Sequence, residues 1–322
     1  MEIIELQVED ECADVLEFLA PALPTLPLNA LRRLVARGHC RVDGKRVDHL
    51  CRPRRGQTVT LELPETPIVR YKPEKMDLDV LYEDAHALAI NKPPGISVIP
   101  DPTSLDARLI NGMLYYVQNE SRFPSQRIHI VHRLDKDTTG ALLVAKDVAM
   151  ARHLSTAFEE RRVLKLYQAV VRGEVATEEG EVDLPIAQDT RGRMRIRARK
   201  GRPAQSRYRV AERFRGFTLV EVRPLTGRQH QVRLHLSGIG HPLAVDPLYG
   251  GKEAVYLSEL KRGYRRKADR PESPIIARLT LHASRLELDL PADERLVVDA
   301  PPPRDFERLL ATLRKYAALH QP

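Results

Sequence analysis

The chain has 322 residues, of which 42% are hydrophobic and 30% are charged, and its formal net charge is +8 with a pI near 9.4. This length suffices for more than one domain, and no apolar run approaches the roughly 20 residues that a membrane span requires. The first 20 residues include Glu and Asp and lack an apolar block, which argues against a secretory signal. We therefore expect a cytosolic protein, and the basic excess favours a polyanionic partner.

The spacing of cysteines and glycines gives no sign of a zinc ribbon or a nucleotide-binding loop. Cys12, Cys40 and Cys51 are odd in number and have no CxxC spacing, which disfavours a disulfide framework and a zinc ribbon. No glycine-rich phosphate loop precedes a predicted helix, so a nucleotide cofactor is not indicated. We expect the protein to work without a metal or a cofactor.

The first predicted domain covers residues 1–66 and is followed by a proline-containing linker at 67–75. Gly38 ends the second helix of this domain, and Asp43-Gly44 is typical of a tight hairpin turn. The predicted elements are two helices, a hairpin and a closing strand, at 14–19, 29–37, 40–47 and 58–63.

This order of elements, with an arginine-rich second helix and the sequence VDGK, resembles the S4 RNA-binding domain. The resemblance implies that basic side chains on the second helix and the hairpin contact RNA phosphates, the sequence-independent part of such affinity. These are Arg32, Arg33, Arg37, Lys45 and Arg46. The alternative is a small α+β module whose charges are merely solvated.

The second predicted domain covers residues 76–300, followed at 301–322 by an amphipathic helix docked on it. Strands and helices alternate irregularly, which favours an α+β fold around a large mixed, mainly antiparallel sheet. The polar stretch at 252–274 is predicted to be a loop or an insertion. Strands are expected at 80–84, 87–92, 128–131, 141–145, 166–172, 206–211, 217–223 and 284–289, and helices at 105–119, 148–160 and 229–237.

Arginine recurs at every second position from Arg191 to Arg199. Period two in a strand places such side chains on one face, so we predict a basic strand that continues as a hairpin through Arg202, Arg207 and Arg209. Such a ribbon suits an RNA groove, whereas the alternative is an exposed hairpin with solvated charges. The residues expected to bind RNA are Arg193, Arg195 and Arg197.

The most informative segment is the polar run HRLDKDTTG at 132–140, which lies between apolar runs at 128–131 and 141–145. This pattern predicts strand, turn and strand, with Asp135 held at the edge of a rigid sheet. A turn-capping role is the more ordinary interpretation of an Asp in such a setting, and we prefer it for Asp137 but not for Asp135.

Three further stretches accompany this run: KLYQA at 165–169, LTGRQHQVRLH at 225–235 and HPLAVDPLYG at 241–250. In this order and spacing, across roughly residues 75–290, the four resemble the RluA-type pseudouridine synthases, which isomerise uridine within folded RNA. The resemblance implies a pseudouridine synthase catalytic domain. With an S4-like module, it implies large-subunit ribosomal RNA as the first choice of substrate and transfer RNA as the alternative. The sequence leaves the oligomeric state open, and a monomer is the default expectation.

The resemblance also implies roles for individual residues. Asp135 matches the catalytic aspartate, Arg233 the arginine that pairs with it and keeps it ionised, and Tyr167 the aromatic residue that packs against the target base. Whether the carboxylate attacks C1′ or assists removal of the C2′ proton stays open. The implied substrate contacts are Leu243 and Val245 in a uracil pocket, Arg133 in the gap left by the flipped nucleotide, and Arg228, which is also an alternative partner of Asp135.

Two other functions are compatible with parts of the sequence. A metal-dependent nuclease or hydrolase would use His129, His132, Asp135 and Asp137 as ligands, although the two histidines would point to opposite faces of a strand. A ribosome-associated RNA-binding protein without catalysis would need only the N-terminal module and the basic hairpin.

Overall fold

The structure is a computed structural model, and it describes residues 2–9, 12, 14–23, 26, 28–63, 72–99, 109–125, 127–250, 252–265, 271–291 and 294–319. Most of the predicted linker and the first four residues of the helix predicted at 105–119 lie outside the described residues. Within them, every helix is too short or too polar to span a bilayer.

The N-terminal part of the chain has a sheet of its own, with strand order β1-β4-β2-β3 and antiparallel pairing throughout. Asp14 caps the first helix by accepting two backbone N–H bonds of 2.9 Å. Asp43 and Gly44 both have positive φ, as a two-residue hairpin turn requires. The elements are β1 (Glu2–Gln7), α1 (Val15–Ala22), α2 (Leu28–Ala36), β2 (Cys40–Val42), β3 (Lys45–Arg46) and β4 (Thr58–Leu63).

The remainder of the chain forms a ten-stranded sheet with path order β10-β13-β14-β9-β15-β8-β6-β5, to which β16 and β7 add at β15 and β8. Among the strand pairs that the described residues form, only β15–β8 is parallel, which confirms the expected α+β fold with a mainly antiparallel sheet. The elements are β5 (Val80–Glu83), β6 (Ala87–Lys92), α3 (Leu109–Asn119), β7 (His129–Ile130), β8 (Thr139–Ala145), α4 (Val148–Glu159), β9 (Leu164–Arg172), β10 (Glu179–Asp183), β11 (Ile186–Gln188), β12 (Met194–Ile196), β13 (Gln205–Phe214), β14 (Phe217–Pro224), α5 (Gln231–Gly238), α6 (Leu257–Leu260), β15 (Leu281–Asp289), β16 (Arg295–Asp299) and α7 (Arg304–Tyr316).

Strand β8 is buried along all seven residues because helices cover both faces of the sheet there. Leu142 and Val144 pack in the cluster that contains α3, whereas Leu143 and Ala145 pack in the cluster that contains α4. Alternate side chains of a strand point to opposite faces, so the two helices clamp β8 between them. The loop that precedes β8 is thus attached to a strand that is buried on both faces.

The C-terminal part of the chain forms a helix, α7, that packs against the sheet. Phe306, Leu309 and Leu313 of α7 are fully buried in a cluster with Val170 and Phe214 of the sheet. This is the amphipathic docking that the spacing of its apolar residues predicts.

The predicted basic ribbon is wrong. Only Arg195 of the five alternating arginines lies in a strand, the three-residue β12, which pairs with β11 and not with the strand at 206–211. Asp189 accepts bonds from the backbone N–H groups of Arg191 and Arg193 and from Arg195 Nε, so it turns the chain just before β12. All five arginines are exposed, but a turn after Ile196 ends the strand.

Candidate active site

A groove of about 730 Å³ lies where α2, α4, β9, α5 and the loop at 131–138 meet. Asp135 and Tyr167 both line it, as does Arg32 from the N-terminal sheet domain. The acidic side chains that line it are Asp135 and Glu159. Lysine and arginine side chains outnumber them: Arg32, Arg133, Arg161, Lys165, Arg202, Arg228 and Arg233. Such an excess of cations in a cleft raises the local concentration of a polyanion.

The loop that carries Asp135 is fixed by contacts on both sides of that residue. The His132 ring accepts a 2.9 Å bond from the Leu143 N–H of β8 and stacks on Phe158. Gly140 has φ of +114°, and a Cβ there would lie 2.1 Å from the Ala283 carbonyl oxygen of β15. The glycine that ends the HRLDKDTTG run is therefore required by the close approach of a neighbouring strand.

Lys92 is fully buried beneath the same loop and was not singled out from the sequence. Its ammonium donates to the carbonyls of Pro93, Lys136 and Thr138 at 2.8–2.9 Å, which uses all three of its protons. Burial lowers the pKa of Lys92 to about 7, opposed by the charges of Asp137 and Asp135. The buried lysine thus holds the backbone of the loop in place.

Replacing Lys92 with Met keeps most of the side-chain volume and removes these three bonds. We expect kcat to fall by about 10²-fold because the carboxylate shifts relative to its substrate. Steady-state kinetics and thermal unfolding check this, and Lys136→Met, on an exposed side chain of the same loop, is the matched control. Equal kcat in Lys92→Met and wild type would contradict the role of Lys92.

Arg233 lies at the bottom of the groove, 5% exposed, between two carboxylates. Its Nε and Nη2 donate to fully buried Asp246 at 2.8 Å each, and its Nη1 donates to Asp135 Oδ2 at 3.2 Å. Asp246 also accepts the N–H groups of Leu248 and Tyr249. The predicted pairing of Arg233 with Asp135 is therefore present, but Asp246, which the sequence did not single out, is what fixes the guanidinium.

Helix α5 orients Arg233 through polar side chains of the run at 225–235. Gln231 bonds to Thr226, to the Arg228 N–H and to Ser206 at 2.7–3.0 Å. His235 bonds to Ser206 at 3.0 Å. These buried contacts attach α5 to β13. The polar residues of this motif therefore hold in place the helix that carries Arg233.

His230 precedes α5 in the left-handed conformation, with φ of 55° and ψ of 20°. Its Nε2 lies 3.8 Å from Asp135 Oδ1 and its Nδ1 lies 2.8 Å from the Tyr249 hydroxyl. His230 is not among the predicted site residues, although it stands directly beside Gln231 in the run at 225–235.

Tyr167 lies on β9, is half-buried and lines the groove. Burial raises the pKa of its phenol, and the charge of Asp135 raises it further. The phenol therefore keeps its proton at neutral pH and is available as a flat face or a hydrogen-bond donor.

The expected uracil contacts Leu243 and Val245 are wrong. Both are buried to 1% or less in hydrophobic clusters and do not line the groove. The segment they belong to runs along β9, where the Ala244 N–H bonds to the Val170 carbonyl. Its function in the fold is to place Asp246, the next residue, against Arg233.

Some of the other predicted site residues lie on the groove, and the rest lie outside its lining. Arg133 is exposed on the groove, and Arg228 lines it while donating to the Pro203 carbonyl, so Arg228 is not the partner of Asp135. Of the N-terminal residues expected to bind RNA, Arg32 lines the groove. The other residues expected to bind RNA are exposed but do not line the groove: Arg33, Arg37, Lys45, Arg46, Arg193, Arg195 and Arg197.

The geometry does not support the proposed metal ligands. His129 lines a second cavity of about 860 Å³ with Arg127 and Met150, whereas His132 faces the groove and accepts the Leu143 N–H. Among the described residues, no three His, Cys, Asp or Glu side chains come together as metal ligands.

Comparisons with known proteins agree with this geometry. Residues 86–238 match the family model described as RNA pseudouridylate synthase. The chain is 36% identical over 264 residues to an uncharacterized RNA pseudouridine synthase of Aquifex aeolicus, covering 80% of this chain and 84% of that protein. It is 36% identical over 316 residues to the ribosomal large subunit pseudouridine synthase D of Pseudomonas aeruginosa, covering 93% and 91%.

A solved structure is similar as well. Human RNA pseudouridylate synthase domain containing 4 superimposes with a TM-score of 0.56 at 28% identity, covering 73% of this chain and 93% of that one.

Proposed function

We propose that this chain, which belongs to the RNA pseudouridine synthase family, isomerises its target uridine with Asp135 as the catalytic carboxylate and acts on large-subunit ribosomal RNA. The observation that supports this role for Asp135 is its position on the groove, 3.2 Å from an arginine that a second, fully buried carboxylate holds in place. We further propose that the enzyme works in the cytosol as a monomer, without a metal or cofactor.

The isomerisation breaks the bond between sugar C1′ and base N1 and joins C1′ to C5. Arg233 binds Asp135 through Oδ2, so this bond does not use Oδ1, which lies 3.8 Å from His230 Nε2. A carboxylate in this position is suited to attack C1′ or to assist removal of the C2′ proton, and to stabilise positive character on the sugar. Tyr167 offers a face for the base, and Arg133 is placed to fill the gap left by the flipped nucleotide.

Ribosomal RNA as the substrate is supported by the names of the relatives, of which several are ribosomal large subunit pseudouridine synthases. Mapping of pseudouridine in total RNA from cells with and without the gene tests it. We expect a site in large-subunit ribosomal RNA to lose pseudouridine and to regain it with wild-type protein but not with Asp135→Asn. Loss in transfer RNA alone would instead assign the alternative substrate, and no loss in any RNA would contradict the proposal.

The N-terminal module is proposed to bind RNA phosphates next to the target. Arg32 is exposed on α2 and lines the groove that holds Asp135, so one RNA strand in the groove would contact both parts of the chain.

Replacing Arg32 with Gln is expected to weaken RNA binding for all sequences alike and to lower the slope of log K against log salt by about 1, with kcat unchanged. Filter binding at several salt concentrations measures this. Arg55→Gln changes an exposed residue of the same module that does not line the groove, and it is the control. The same salt slope in Arg32→Gln and wild type would refute a phosphate contact by Arg32.

A further inference from the structure

The second cavity, of about 860 Å³, lies at the N-terminal end of α4, where the N-terminal module meets the large sheet. Glu17 of α1, the first residues of α4 and Leu290 after β15 all line it. The groove that holds Asp135 touches the C-terminal half of α4, at Ser155 and Phe158. The two cavities share none of the described residues that line them, so the second cavity is separate from the site of the proposed reaction.

Arg127 is a cation buried in the wall of the second cavity. The residue is 9% exposed, and its Nη2 is buried and forms no hydrogen bond within the described part of the chain. Burial lowers the pKa of Arg127 to about 10, and no carboxylate of the described residues opposes this effect. Charged side chains in protein interiors are normally paired, so this guanidinium lacks the partner that its burial requires.

His129, two residues further along the chain, lines the same cavity. It is 6% exposed, and both of its ring nitrogens are buried without a hydrogen bond to any described residue. Burial and, to a smaller extent, the charge of Arg127 lower the pKa of His129 to about 4, against the opposing charge of Asp147. The ring is therefore neutral at neutral pH and offers one hydrogen-bond donor and one acceptor.

Three other charged side chains of the cavity have partners within the protein. Lys146 donates to Glu83 Oε1 at 2.5 Å and to two backbone carbonyls. Asp147 caps α4 and lies 2.7 Å from His86 Nδ1, and Asp84 accepts two backbone N–H groups. The charged residues that remain on the lining are Glu17, which is half-buried, and Glu294, which is exposed.

The composition of the wall indicates what kind of molecule fits the cavity. Its apolar residues are Val148, Ala149, Met150, Leu290 and Pro291. An apolar lining with a few polar groups, in a volume of about 300–1,000 Å³, is typical of a small-molecule site. The two glutamates disfavour a polyanion such as RNA. The single guanidinium matches one planar carboxylate.

We propose that the second cavity is a binding site for a small aromatic or aliphatic carboxylate. The carboxylate accepts hydrogen bonds from Arg127 and from the N–H of the His129 ring, and the apolar body of the ligand lies against Val148, Met150 and Leu290. This site does not depend on the proposed function, because the ligand binds away from the groove that holds Asp135.

The test uses the whole chain and a panel of benzoate, phenylacetate, 4-phenylbutyrate and hexanoate, each compared with its neutral amide. By calorimetric titration we expect at least one carboxylate to bind with a dissociation constant of about 1 mM or lower. Its amide should bind at least about 10-fold more weakly, because a hydrogen bond to a charged group is stronger than one to a neutral group.

Arg127→Met is expected to weaken binding of that carboxylate by at least about 10-fold. Arg122→Met changes an exposed arginine that does not line the cavity, and this matched control should bind like wild type. Absence of saturable binding by every carboxylate of the panel would overturn the proposal. Equal affinity in wild type and Arg127→Met would overturn it too.

Thermal unfolding without ligand separates a binding role of Arg127 from a structural one. Because an unpaired buried charge opposes folding, Arg127→Met, which keeps most of the side-chain volume, should raise Tm by about 2–4 °C. A gain in stability together with a loss of binding is typical of a residue kept for function. An equal or lower Tm would show that the guanidinium stabilises the fold, and it would contradict the proposal. Both readouts are independent of pseudouridine formation, so they do not share the fate of the proposed function.

Discussion

Asp135→Asn is expected to lower the rate of pseudouridine formation by at least about 10⁴-fold, because the amide neither attacks C1′ nor offers a negative charge to the sugar. Affinity for RNA should be nearly unchanged, since the substitution removes a negative charge from a groove rich in cations. Single-turnover kinetics with enzyme in excess measures the chemical step, and a binding titration of the same RNA measures affinity.

Asp137→Asn is the matched control, because it makes the same change of charge two residues away on the same loop, outside the groove lining. It should retain most of the activity. If Asp135→Asn and Asp137→Asn lost activity equally, the reaction would depend on the negative charge of the loop and not on a carboxylate at position 135. If Asp135→Asn kept its rate, the proposed mechanism would be wrong.

Local patterns in the sequence predicted most of the helices and one tight hairpin turn. The helices α1, α2, α4 and α5 and the hairpin with Asp43-Gly44 all form close to their expected bounds. The main failure, the arginine ribbon, arose because a period of two was interpreted as a strand without regard to Asp189, whose side chain folds the backbone into a turn. Such Asp-centred turns compete with strand pairing over a few residues.

What the sequence did not predict depends on contacts between distant segments. Lys92 acts on a loop 44 residues away along the chain, and strand β1 pairs with β4 more than 50 residues later. Leu243 and Val245 were placed in the substrate pocket by resemblance alone, whereas the structure uses them as core residues that position Asp246. A sequence motif shows which residues are present, but only the folded structure shows which of them are exposed on the groove.

Arg233→Met is expected to have the largest effect on stability. Asp246 is fully buried and loses both of its 2.8 Å bonds to the guanidinium, so an uncompensated carboxylate stays in the core. We expect the free energy of unfolding to fall by about 3–5 kcal/mol. Activity should fall as well, because Asp135 loses its nearest cation. Urea unfolding followed by circular dichroism measures the first effect and single-turnover kinetics the second.

The double variant Arg233→Met/Asp246→Asn separates the two effects. Removing the second charge leaves a neutral amide in place of the unpaired carboxylate, so most of the stability should return, as replacement of both partners of a buried ion pair often does. Activity should stay low, because Asp135 still lacks its arginine. A double variant as unstable as Arg233→Met would mean that packing of the guanidinium, including its position 5.0 Å from the Tyr249 ring centre, stabilises the site more than its charge does.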